Sequence, residues 1–146
     1  MKVDQPDIKF VPKGWGFEKF IINSDKYCGK LLYFVKGKRC SLHYHKIKDE
    51  TFYVAKGKMK LYFGDNAANI EQLVAVIPGP EAVLKLTAVH TLCGTGNLRE
   101  VILKQGDNFR IPVNRVHQMV AMEDTELYEF STMHMDDDSY RIIKGD

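Results

Sequence analysis

The stretch GKRCSLHYHKIKDETFYVAKG, residues 37–57, sets two histidines two positions apart, His43 and His45, and places Glu50 five positions further on. In an extended strand alternate side chains share a face, so both imidazoles point one way and Tyr44 points the other. A hairpin turn through residues 46–49 would let the next strand bring Glu50 back beside the pair.

A fourth residue of the same chemical kind comes from the second half of the chain. In GDNFRIPVNRVHQ, residues 106–118, His117 follows a Pro-Val-Asn-Arg turn. Three imidazoles and one carboxylate suit a borderline first-row ion such as Zn, Fe, Mn or Ni and leave positions for water or substrate, which is a catalytic donor set more than a structural one. Buried together without an ion, they would leave several polar groups to satisfy.

Around these residues the chain reads as strand-length apolar runs. FEKFIIN, CGKLLYFVKG, CSLHYH, ETFYVAKG and MKLYFG come first; AVLKLTAV, REVILKQG, NFRIPVN, VHQMVAME and TELYEFST follow, with breaks near Gly106 and Asn114. Between the two sets, DNAANIEQLVAV (residues 65–76) is the one helical candidate. Asp or Asn caps would open it, Ile70, Leu73 and Val74 would face inward, and the Pro-Gly-Pro at 78–80 would stop it. The expectation is an all-β fold: a sandwich, a jelly roll or a closed barrel.

At 146 residues the chain fits one domain with one site. Lys and Arg number 21 against 19 Asp and Glu, a balance that argues for neither nucleic acid nor an anionic membrane and leaves a small molecule as the partner. Cys28, Cys40 and Cys93 are odd in number and form no close pair, which fits a reduced compartment. No long apolar run opens the sequence, so a cytoplasmic chain without export signal is expected.

Several residues have ordinary readings. Tyr44, Phe52, Tyr53, Tyr62 and Phe63 are core aromatics by default. Cys40, on the face opposite the histidines, reads as a small buried hydrophobe. His90 and His134 read as satisfied core or surface histidines, and KGKR and KIKDE as solvated turns. Ser41 shares the histidine face and lines the pocket or pairs with backbone. Arg141 holds a phosphate in bidentate fashion or pairs with Asp136 or Asp137.

The spacing of the first motif, Gly, five residues, His-x-His, four residues, Glu, six residues, Gly, resembles that of the cupin family at Gly37, His43, His45, Glu50 and Gly57. The second cupin motif is met by Gly106, Pro112 and His117; Asn114 stands for its glycine, a mild change because Asn tolerates a left-handed turn, and Ala121 stands for its last Asn. Trp15-Gly16 near the start and the acidic residues leading to Arg141 are similar to small cupins related to type II mannose-6-phosphate isomerases, although those carry Gln where this chain has His43.

The resemblance implies a single cupin double-stranded β-helix, a jelly-roll barrel, over residues 1–146, with a core at about 15–131 and a tail at 132–146. It implies one divalent ion on His43, His45, Glu50 and His117, and a homodimer. It also implies an aldose-ketose isomerase acting on a sugar or sugar phosphate. The general base is not assigned. A metabolite-binding cupin without turnover and a non-haem metal dioxygenase are the competing readings.

Overall fold

A computed structural model describes residues 4–146, with the backbone alone for 82–86; residues 1–3, which open the stretch read for an export signal, lie outside it. The strands are β1 (Lys9–Lys13), β2 (Gly16–Asn23), β3 (Cys28–Phe34), β4 (Leu42–Tyr44), β5 (Glu50–Lys56), β6 (Lys58–Gly64), β7 (Arg99–Lys104), β8 (Asn108–Ile111), β9 (Val116–Ala121), β10 (Thr125–Ser131) and β11 (Tyr140–Ile143). All described pairings are antiparallel. One sheet runs β1-β2-β3-β10-β5-β8, and the other β11-β4-β9-β6-β7.

Alternation produces the two facing layers. Along β3 every second residue is buried: Cys28, Lys30, Leu32 and Phe34. Phe34, Phe52, Val54, Met59, Leu61 and Leu127 fill the space between the sheets. Each such side chain taken from water contributes about 1.5–3 kcal/mol before entropy is counted. The strands β1 and β11, outside the 15–131 span, form one edge of each sheet.

Two helices cover the outer face of the second sheet. In α1 (Ala67–Val76) the Asn66 side chain accepts from Asn69 N at 3.0 Å as N-cap, and Ile70 is buried while Leu73 and Val74 pack around it, as expected. The segment AVLKLTAV, expected as a strand, is instead part of α2 (Glu81–Gly94). Its apolar positions continue as Ala88, Val89 and Leu92, a helical spacing that puts one face on Ile70 and Leu98. The short alternation within 82–89 yields to that longer period.

The outer face of the first sheet has no such cover among the described residues and carries exposed Phe10, Tyr53 and Phe130. No described helix is long and apolar enough to cross a membrane.

Turn chemistry follows the motifs. Asn114 adopts φ 68°, the left-handed conformation expected of it. Gly37 (φ 83°) has open space where a side chain would go, whereas at Gly57 (φ 96°) a Cβ would run into the Asp124 carbonyl and Thr125. Gly37→Ala should therefore cost about 1–2 kcal/mol, and Gly57→Ala more, on the order of 3 kcal/mol. Urea midpoints check this ranking; equal costs at both positions would refute it.

Candidate metal centre

β4 and the residue after it carry His43 and His45, β5 opens on Glu50, and β9 carries His117 directly opposite His43. One ring nitrogen from each of the three histidines lies within 4.8 Å of the others, so the triad could hold a metal ion. Glu50 Oε1 lies 3.0 Å from His117 Nε2 and 3.6 Å from His45 Nε2. Of the predicted set the three histidines form the cluster, and Glu50 stands beside two of them, His117 and His45.

The outer nitrogens explain why the inner ones are free. Nδ1 of His43 faces the Ser41 carbonyl at 2.8 Å, Nδ1 of His45 that of Asp138 at 2.9 Å, and Nδ1 of His117 that of Arg115 at 3.0 Å. Each carbonyl takes the Nδ1–H and leaves an Nε2 lone pair for the interior. Burial and the two neighbouring imidazoles hold His43 well below the usual histidine range. Burial lowers His45 to about 4. Both are therefore neutral, the form that ligates.

The donor set fits a cation on a second ground. His117 Nε2 and Glu50 Oε1 are buried and make no aligned hydrogen bond, whereas Glu50 Oε2 is met by the Lys48 ammonium. Polar atoms in that state are rare unless something else satisfies them. Despite its burial, the Glu50 carboxyl lies well below its usual range, chiefly because the Lys48 ammonium stands beside it.

KIKDE is not wholly solvated, as its composition suggested. Lys48 is 3% exposed, with Nζ 3.0 Å from Glu50 Oε2 and 3.2 Å from Glu129 Oε2. Burial works to lower its pKa, but the carboxylates of Glu129 and Glu50 outweigh that and raise it. Its inward course comes from Asp138, whose carboxylate accepts from the backbone N–H groups of Lys46, Ile47 and Lys48 at 3.0, 3.1 and 3.0 Å.

These groups border a cavity of about 590 Å³. Ser41 lines it, with Oγ 3.3 Å from His43 Nδ1, and Arg141 lines it from β11, opposite His43 in register. His134 also lines it, whereas His90 is exposed on α2. Cys40 is buried, its thiol pushed up to about 12 by burial. Lys30, Lys48, Glu129 and Glu18 are cavity residues not anticipated from the motifs; two of them leave a sequence signal, Lys30 as a charge among the apolar inward positions of β3 and Glu129 as a charge on the buried parity of β10.

No family model matches the chain. A D-lyxose ketol-isomerase from Cohnella laeviribosi is 32% identical over 124 residues, 80% of this chain and 61% of that enzyme, so the chain spans under two thirds of its curated relative. Among solved structures, KdgF from Halomonas sp. is similar at TM-score 0.60 and 17% identity, over 93% of this chain and 94% of that one. Oxalate decarboxylase from Bacillus subtilis, studied for its Mn(II) centres, is similar at TM-score 0.66 and 14% identity, over 93% of this chain and 30% of that one. Two facing antiparallel sheets, the histidine cluster between them and these likenesses give the chain the fold of a small cupin.

Proposed function

We propose that the chain is a metal-dependent aldose-ketose isomerase acting on a sugar, with the ion held by His43, His45, His117 and Glu50. The observation that carries the reading is the triad itself: three imidazoles with Nδ1 against backbone carbonyls, opening on a cavity lined by charged groups. The likeness to a D-lyxose ketol-isomerase supports the sugar. The Mn(II) centres of the oxalate decarboxylase support a divalent first-row ion, with Zn, Fe and Ni alongside Mn as candidates.

A divalent ion held there supplies Lewis-acid polarisation to a sugar carbonyl and its neighbouring hydroxyl. The chain supplies the rest. Moving a proton between adjacent carbons needs an acid-base group beside the substrate. Ser41 and Arg141, at the border of the cavity, contact the outer part of the substrate in this reading. It also keeps the expected cytoplasmic homodimer, for which Phe10, Tyr53 and Phe130 offer an apolar surface.

The test is a panel of aldoses and ketoses, free and phosphorylated, offered to protein loaded with Mn, Zn, Fe and Ni in turn. Interconversion of at least one pair is expected. If none is interconverted, the isomerase reading falls and the metabolite-binding reading takes its place.

A further inference from the structure

Lys30 lies in the middle of β3, on its inner face, with 2% of its surface exposed. A buried ammonium carries three donors and needs a partner for each. Its Nζ stands 3.1 Å from His134 Nδ1, and His134 Nε2 in turn faces Asp136 Oδ1 at 2.9 Å. The Phe20 ring lies 4.3 Å from the same Nζ. Carboxylates balance the charge: Glu129 Oε2 at 3.8 Å and Glu18 Oε2 at 3.9 Å. Both distances exceed a charge-assisted hydrogen bond by about 1 Å.

Charge is thus balanced at Lys30 while hydrogen bonding is not. Glu18 and Glu129 line the same cavity as His43, His45 and Glu50. Lys48 links the two ends, touching both Glu50 and Glu129. In register, Glu129 faces Phe52 while Glu50 faces Ser131, so the two glutamates sit diagonally on one sheet face, and a single Lys48 Nζ, 3.0 Å from one Oε2 and 3.2 Å from the other, bridges their carboxylates.

What suits a lysine held just out of reach of two carboxylates is a group that accepts and donates at once. A hydroxyl does both. A phosphate only accepts, and it would add negative charge beside Glu18, Glu129 and Asp136, whose carboxylates already stand against Lys30, Lys48 and His134. We propose that Lys30, Glu18 and Glu129 form a subsite for the uncharged, hydroxyl-bearing end of a polyol, whose hydroxyls bridge the ammonium and the carboxylates. The assignment rests on the sugar reading above and deepens it, since it selects a free polyol end over a phosphorylated one.

The test reads binding and not turnover. D-arabinitol, which has no carbonyl to isomerise, and its 5-phosphate are titrated by NMR into Zn-loaded wild type, Lys30→Met and Glu18→Gln. The wild type should prefer the free polyol. Each substitution should weaken D-arabinitol by about tenfold or more, as loss of a hydrogen bond to a charged group does. Glu18→Gln should in addition narrow the preference against the phosphate, which a merely structural role would not do.

Wild-type protein that binds no D-arabinitol, or prefers the phosphate, overturns the subsite, as do variants that bind like the wild type. If Lys30→Met does not fold, Glu18→Gln decides alone, its side chain being 17% exposed. A protein that binds the polyol through Lys30 but isomerises no sugar keeps the subsite and loses the isomerase reading. Turnover with polyol binding untouched by either variant does the reverse.

Discussion

His117→Ala should leave dialysis without its metal and with its strands intact. The imidazole is fully buried, and its Nε2 lies 3.0 Å from Glu50 Oε1. Removing a group that only orients a ligand costs about 10–100-fold in metal affinity, so loss of a ligand itself should exceed about 100-fold. β9 stays paired with β6 through its backbone, from Met59 opposite Ala121 to Gly64 opposite Val116. Glu50→Gln should behave alike, because it removes the charge that the cation needs. Elemental analysis after dialysis, with circular dichroism beside it, checks both variants. His117→Ala that retains a full metal load would end the metal assignment, and any isomerase activity should vanish with the ion.

The second large effect is expected at Asp138, which is remote from both motifs in sequence. Its buried carboxylate accepts from three successive backbone N–H groups, those of Lys46, Ile47 and Lys48, and its own carbonyl faces His45 Nδ1 at 2.9 Å. The turn that joins His45 to Glu50 is therefore folded around one side chain. Hydrogen bonds to a charged group contribute about 1.5–3 kcal/mol each and do not add fully, so Asp138→Ala should cost on the order of 3–5 kcal/mol. Metal affinity should fall as well, because the turn sets the distance between two of the proposed ligands. Asp138→Asn, which keeps one acceptor oxygen, should lie between. Urea unfolding and metal titration measure the two effects; a loss below about 1 kcal/mol in Asp138→Ala would show that the turn holds itself.

Asp138 also marks a limit of what local sequence pattern carries. The meeting of His43, His45 and His117, with Glu50 beside two of them, was legible because strand period and the spacing of the two motifs place those residue types on inward positions. The partner of the 46–48 turn lies about ninety positions away, and no local pattern announces it. Lys48 was missed for the same reason, since a lysine in KIKDE looks solvated until Asp138 turns it inward. Lys30 and Glu129 left a trace, each a charge on the buried parity of its strand. The helix α2 was misread because AVLKLTAV offers a strand's alternation over a window too short to show the helical set that includes Leu92.

The three carbonyls of Ser41, Asp138 and Arg115 that meet the histidine Nδ1 atoms bear on how ion binding and folding are linked. They fix tautomer and ring direction through contacts internal to the apoprotein, so the coordination sphere is preorganised and the entropy of ordering it is spent during folding. In metal-dependent folds of the zinc-finger type, binding free energy and folding free energy are one quantity. Here they should be separable: a chelator is expected to strip an ion held by the triad and leave the chain folded, which circular dichroism before and after chelation would check. Restoring the ion then adds stability by mass action alone, about 1.4 kcal/mol for every tenfold that free metal stands above its dissociation constant.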